Sequence, residues 1–404
     1  MRSVSDHQSV VAALFGDPVT ATVPVSTALG GVTATEILAP TGLPGFDNSA
    51  MDGYAVRADE ISSATAQSPV RLPVAEDIPA GRTDHLTLTP GTAHRIMTGA
   101  PMPDGADAVV PVELTDGGTD EVTIRTSVLS GKHIRRAGSD IEAGQPAISA
   151  GTRLGAPQLG LLAALGLTEV AVARRLRVVV LSTGSELVTP GQPLSHGQIY
   201  ESNGPMLTAA ATEAGAEATH LHYVTDDVAA FRARLDEISG WADVIITSGG
   251  VSAGAFEVVK DALTDSDDVE FVKVAMQPGM PQGCGRYPGP DGRRVPIITL
   301  PGNPVSSLVS FEVFIRPPLR AAMGLPDDRH TLTAQLSSDV RSPAGKRQFL
   351  RGVLRHTDDG QVVDPIGPPA SHHLRYLAQA NALIDIPEDV DAVTAGAQVE
   401  VIEL

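Results

Sequence analysis

From about residue 173 to 325 the chain alternates short, continuously apolar runs with helix-compatible stretches, and this alternation limits the fold more than any other feature. "LRVVVLSTG" and "ADVIITSGG" read as strands buried on both faces, and "DVEFVKVAM" and "RVPIITL" continue the pattern. Between them lie "NGPMLTAAATEAGA", a capped helix opening near Asn203 or Gly204, and "DDVAAFRARLDEISG". In the latter, Asp226 or Asp227 caps a helix whose Ala230, Leu235 and Ile238 lie at near-helical spacing. A short helix is expected around Phe256 to Leu263, and another after "ITLPGNPVSS". The alternation predicts a multidomain α/β protein built on an open, largely parallel sheet covered by helices. Such sheets bind ligands outside their strand C-termini.

The flanking sequence reads differently. Residues 1 to 54 form a mixed segment of short helix, loop and strand, with polar Asp47, Asn48, Ser49 and Asp52 close together. Residues 55 to 147 alternate short apolar runs with glycine and proline turns, as in a small β domain. Residues 148 to 172 contain a helix-compatible stretch and are expected to return to the N-terminal domain, while 326 to 404 read as a C-terminal β-rich domain. At 404 residues the chain can bury more than one core. With 3% aromatic residues, those cores must be filled by alanine and valine rather than stacked rings.

A net charge of -19 argues against a general nucleic-acid binder, and three isolated Arg-Arg pairs do not reverse that. Cys284 is the single cysteine, which excludes an intrachain disulfide; its expected place is a turn. No secretory pattern opens the sequence, and no apolar run approaches the roughly 20 residues of a membrane helix, so a soluble cytoplasmic protein is expected.

Three loops follow strands of the α/β segment: Ser182-Thr183-Gly184-Ser185-Glu186, Ser248-Gly249-Gly250-Val251-Ser252-Ala253-Gly254, and Pro301-Gly302-Asn303-Pro304-Val305-Ser306-Ser307. Glycines permit close backbone approach, serines add hydroxyls, and a following helix offers amides to an anion. One such loop is an ordinary turn; three at equivalent ends of one sheet point to a shared crevice. Neither a dinucleotide fingerprint nor a G-x-x-x-x-G-K-S/T phosphate loop occurs, which leaves phosphate and polar heterocycles as suitable ligands. Glu186, Asp226 and Glu257 fall near these strand ends, where they can hold a hard cation such as Mg²⁺. A surface ion pair, an N-cap and a helix-dipole partner are their respective structural alternatives.

In order along the chain, "PGFDNSAMDGYAV", "RIMTGAPMPDGADAVVPVE", "LSTGSEL", "SGGVSAG" and "PGNPVSS" resemble the molybdopterin molybdenumtransferase family, which includes the corresponding gephyrin domain. The resemblance covers nearly the whole chain. It implies Mg²⁺-dependent insertion of molybdate into adenylylated molybdopterin, with release of AMP and formation of molybdenum cofactor. It further implies an elongated homodimer in which Asp52 approaches the α/β unit of the partner, and transient contact with the upstream molybdopterin adenylyltransferase. By correspondence of motifs, Asp52, Glu186, Asp226, Glu257 and Lys273 are the catalytic candidates, with Glu186, Asp226 and Glu257 on the metal. Thr98, Lys346 and Ser371 are ligand-binding candidates by the same correspondence, and Ser182, Thr183, Gly184, Ser248, Gly249, Gly250, Ser252, Gly254, Pro301, Gly302, Asn303 and Ser306 are ligand-binding candidates from the three strand-end loops. The chain departs from the family at Ser185, where aspartate is common, and at Gln277 and Met280, where lysines are expected. Two other readings stand beside this one: the preceding adenylylation step, and cofactor storage or scaffolding without turnover.

Overall fold

The computed structural model describes residues 1–222, 227–249, 258–263, 268–326, 329–358 and 360–404. The chain divides into two compact units, one of residues 1–21 with 173–404 and the other of residues 22–172.

The first unit holds a six-stranded sheet. Its strands are β1 (Arg177–Ser182), β2 (Glu217–His222), β3 (Val244–Ser248), β4 (Val269–Lys273), β5 (Pro281–Pro288) and β6 (Arg294–Leu300). They lie in the order β2-β1-β3-β6-β5-β4. The pairs β1–β2, β1–β3 and β3–β6 are parallel, whereas β5 runs antiparallel to both β6 and β4. The sheet is therefore mixed at one side and parallel where the three loops emerge.

The apolar runs are continuous because both faces are covered. Val178 and Val180 of β1 join a core with Leu207, Ala211, Val305 and Val309, and the alternate residues Val179 and Leu181 join a second core with Phe231, Leu235, Ile238 and Val259. Helices α1 (Asn203–Glu213) and α4 (Pro304–Ser310) thus cover one face, and α2 (Val228–Ser239) and α3 (Val258–Leu263) the other. Asp227 caps α2 by accepting from the Ala230 amide at 2.9 Å. The buried stripe of α2 is Phe231, Leu235 and Ile238; Ala230, expected on it, is exposed because the helix turns Phe231 inward instead.

Cys284 also departs from expectation. It lies in the middle of β5 rather than in a turn, is 1% exposed, and burial pushes its thiol up to about 12. Such a thiol is a packing group, not a nucleophile.

At the edge of the sheet opposite the loops, Asp243 precedes β3 and accepts from Arg174 (2.7 and 3.1 Å) and from the amide and guanidinium of Arg177 (2.9, 3.1 and 3.2 Å). Burial alone would raise its carboxyl, but these donors hold it well below the ordinary range.

The C-terminal part of this unit is a closed β circuit. Arg347–Thr357, Gly360–Pro365, Thr331–Leu336, Gln398–Glu403 and Ala382–Ile386 pair in succession, and the last pairs back to the first. Closure leaves those strands without a free edge, and Leu336, Val363, Ile384, Ile386 and Val401 fill the interior. Met276–Gln277 adds to Arg347–Gln348 in parallel, tying this circuit to the α/β part.

In the second unit a five-stranded sheet orders Ala108–Pro111, Gly53–Val56, Ala93–Ile96, Val70–Ile78 and Glu121–Ile124. A side chain at Gly53 would place its Cβ 2.0 Å from the Val110 carbonyl oxygen, so the "DGYA" strand pairs closely only because residue 53 is glycine. Residues 146–148 pair with 37–38, and Leu154 and Leu162 pack with Val25, Ala28 and Val172.

Candidate active site

The C-terminal ends of β1, β3 and β6 are neighbours, and the segments leaving them wall a cleft of about 660 Å³. Ser182 to Glu186, Ser248, Gly249, Gly302 and Asn303 line it, together with Glu201, Asn203 and His372. Main-chain bonds bind the three walls together: the Thr183 amide donates to Ser248 O at 3.1 Å and the Gly249 amide to Leu300 O at 3.1 Å.

Two glycines here are required by geometry. Gly249 has φ +97° and a Cβ there would fall 2.6 Å from Thr183 O; at Gly184, φ +152°, it would fall 2.6 Å from the Glu186 carboxylate. The Glu186 side chain therefore folds back over Gly184, exposed at the cleft wall. Gly302 differs: its φ is not in the left-handed region, and a Cβ would meet only Gly249 Cα at 3.6 Å.

The floor is a buried polar network. The Asn203 amide donates to Ser248 Oγ and to Gly302 O, both at 2.7 Å, while its Oδ1 is buried without a hydrogen-bond partner. Ser307 Oγ donates to Pro301 O at 2.6 Å, fixing the bend from behind. Glu201 Oε1 accepts from Ser182 Oγ at 2.8 Å and from the Gly204 amide at 2.5 Å, taking up a free donor of the first turn of α1. His220 Nε2 lies 3.2 Å from Ser182 Oγ. Burial holds the His220 imidazole below its ordinary range, against the opposing pull of Glu201.

The other sequence candidates lie as follows. Asp226, Glu257, Gly250, Ser252 and Gly254 fall outside the described residues. Pro301 and Ser306 are buried behind the cleft wall rather than on it. Ser371 contributes its carbonyl to the Val305 amide at 3.1 Å, next to His372. Lys273, at the end of the far edge strand β4, and Lys346, in a turn of the C-terminal circuit, do not line the cleft; their segments approach each other through the Met276–Arg347 pairing.

Asp52 and Thr98 belong to the second unit and meet there: the Thr98 amide and hydroxyl donate to the same Asp52 oxygen at 2.7 and 2.8 Å. These two bonds, the amide foremost, lower the Asp52 carboxyl below its ordinary value. Glu201, Asn203 and His372 were not expected at the site. The signal for Glu201 was present in "ESNGP", where a glutamate stands three residues before the first-turn amide it accepts from.

A cleft at the strand ends of a helix-covered sheet, joined to a closed β circuit and preceded by a β-rich unit, defines a multidomain α/β protein with a polar ligand cleft at its strand C-termini. Residues 2–166 match the "MoeA N-terminal region (domain I and II)", 179–321 the "Probable molybdopterin binding domain" and 333–404 the "MoeA C-terminal region (domain IV)". The chain is 60% identical over the full length of both chains to molybdopterin molybdenumtransferase 2 of Mycobacterium tuberculosis. It is 34% identical to the molybdopterin molybdenumtransferase of Bacillus subtilis, covering 91% of this chain and 86% of that one. Among solved structures, the molybdopterin biosynthesis moeA protein of Pyrococcus horikosii superposes with a TM-score of 0.81 at 32% identity, over 99% of this chain and 98% of that one. The chain belongs to the molybdopterin molybdenumtransferase family.

Proposed function

We propose that this protein inserts molybdate into adenylylated molybdopterin, releasing AMP, and that the cleft formed by β1, β3 and β6 holds the pterin substrate. The observation carrying this reading is a cleft walled by three glycine- and hydroxyl-rich segments in a chain whose relatives are named molybdopterin molybdenumtransferases. The unpartnered Asn203 Oδ1 offers an acceptor to a heterocycle N–H, while Gly249 and Gly302 let phosphate oxygens approach the main chain. Thr183 and Ser185 supply hydroxyls along the same wall.

The donor set also fits a hard cation. Glu186 and Glu201 line the cleft, and none of the described lining residues is lysine or arginine. An anhydride-bearing anion placed there meets these carboxylates and, among the described lining residues, no guanidinium or ammonium, an arrangement that favours a divalent cation held by Glu186. Asp226 and Glu257 remain candidates for the same ion from the family resemblance. When bound, Mg²⁺ would supply charge neutralisation at the phosphoanhydride oxygens. Glu186 then serves as ligand, Asn203 orients the heterocycle, and the Ser182–Glu201 pair keeps the cleft floor rigid.

The reading includes a homodimer in the cytoplasm, with Asp52 of the partner subunit completing each site; among the described residues no helix is long and apolar enough to cross a membrane. Incubation with adenylylated molybdopterin, Mg²⁺ and molybdate should yield AMP and molybdenum-bearing product in equal amounts. Tight pterin binding without AMP would favour storage, and consumption of ATP with accumulation of adenylylated pterin would favour the preceding step. For the dimer, coexpression of Asp52→Ala with Glu186→Gln should give heterodimers with roughly half the wild-type activity, since one site carries both defects and the other neither. A verified heterodimer as inactive as its parents would remove Asp52 from the partner's site.

A further inference from the structure

We propose that Glu201, His220 and His222 form a second cation site, for a first-row divalent transition metal of the zinc class, between β2 and the segment that opens α1, separate from the Mg²⁺ ligand Glu186. One ligating atom from each of the three residues lies within 4.8 Å of the other two. His220 and His222 stand two residues apart on β2, so both rings project from one face of the sheet, and α1, which Glu201 precedes, packs on that strand. Two imidazoles and a carboxylate are the donors that zinc and its neighbours take, whereas Mg²⁺ takes oxygen alone.

An independent observation points to a ligand at this place. The Glu201 side chain is 1% exposed, and its two oxygens have different duties. Oε1 is held by the Ser182 hydroxyl and the Gly204 amide. Oε2 is buried with no hydrogen-bond partner, 3.7 Å from His220 Nε2. A carboxylate oxygen left bare in the interior is costly, and a metal ion would satisfy it while Oε1 keeps the orienting bonds expected around a ligand.

The surroundings make room for the imidazole. A Cβ at Gly204 would sit 2.0 Å from His220 Nε2, so the ring occupies space that any other residue at 204 would fill. Bonds of about 2.1 Å in a tetrahedral site place ligand atoms about 3.4 Å apart. Glu201 Oε2 and His220 Nε2, 3.7 Å apart, are already close to that spacing, and all three ligand atoms lie within 4.8 Å of one another. Three protein ligands leave one position open.

The test uses the full chain, stripped with a chelator and titrated with Co²⁺ in millimolar Mg²⁺ and without pterin, following the visible ligand-field absorption. Because no pterin is present, failure here leaves the transferase reading standing. One Co²⁺ per chain is expected, displaced by Zn²⁺. His222→Ala and His220→Gln should each weaken binding at least about tenfold. His373→Ala, in the adjacent-histidine pair His372–His373, should leave it unchanged. Absence of a Co²⁺ band, binding that survives both β2 substitutions, or binding abolished by His373→Ala would overturn the proposal. Thermal melts accompany each variant; if His220→Gln fails to fold, the half-buried His222→Ala and Glu201→Gln decide the matter.

Discussion

Gly302→Val separates the ligand-binding role of the "PGNP" bend from a purely structural one. The bend joins β6 to α4, and Gly302 is exposed at the cleft with its carbonyl held by Asn203. A Cβ at 302 would meet nothing nearer than Gly249 Cα at 3.6 Å, which is ordinary van der Waals contact. Gly302→Ala should therefore change stability by no more than about 0.5 kcal/mol. Valine adds two further methyl groups in the space assigned to the pterin ligand. Forcing a ligand against extra methyls costs about 1–3 kcal/mol, which at tenfold per 1.4 kcal/mol weakens binding by about 5- to 150-fold. Gly249→Ala is the contrasting control: with φ +97° and a Cβ 2.6 Å from Thr183 O, it should lose stability itself, by about 1–3 kcal/mol. Thermal melts and titration of pterin fluorescence measure the two effects separately. Wild-type affinity in a stably folded Gly302→Val protein would refute the reasoning, as would unfolding of Gly302→Ala.

Asp243→Asn should destabilise the protein by about 2–4 kcal/mol, because Arg174 and Arg177 lose the buried carboxylate between them. Since the folded carboxyl lies below its ordinary 3.8, that stabilisation is complete above this value and fades as pH falls through the lower folded value. Urea midpoints between pH 6 and 2 should show a shallower acid slope in Asp243→Asn than in wild type, and equal slopes would contradict the assignment. Glu186→Gln should keep the fold but raise the Mg²⁺ concentration for half-maximal AMP release about tenfold or more; an unchanged Mg²⁺ titration would remove Glu186 from the metal. Thr98→Val removes the hydroxyl donor to Asp52, so the Asp52 carboxyl should titrate closer to its ordinary 3.8 by NMR, and an unmoved titration would show the hydroxyl to be idle.

The α/β core was legible because its signals are local. A strand buried on both faces must be apolar throughout, and the change to serine and glycine after Leu181 and Thr247, and to proline and glycine after Leu300, marks where each strand ends. Parallel pairing then brings those exits together. Glu201 escaped this logic because it reaches the cleft through a separate two-stranded pairing, Leu187–Val188 with Ile199–Tyr200, whose register fixes it by the bond from the Glu201 amide to Val188 O. A pairing that short has no periodicity to detect. The phase of α4 was equally hidden: Ser306 and Ser307 look alike in sequence, yet both turn inward and Ser307 holds the bend. The antiparallel β5 carries "QGCGRY", whose glycines suggest turns; Gly283 and Gly285 are instead needed for close packing, since added Cβ atoms would fall 2.2 Å from Thr299 Oγ1 and 2.0 Å from Asp268 O. Cys284 lies between them, in the strand rather than in the expected turn.

A ligand-bound structure tests the central claim most directly. With adenylylated molybdopterin soaked or co-crystallised in the presence of Mg²⁺ and absence of molybdate, the account predicts the pterin and its phosphates between Ser182–Glu186, Ser248–Gly249 and Gly302–Asn303, with a metal ion on Glu186. Ligand density at any other place on the chain, with this cleft empty under saturating conditions, would contradict it.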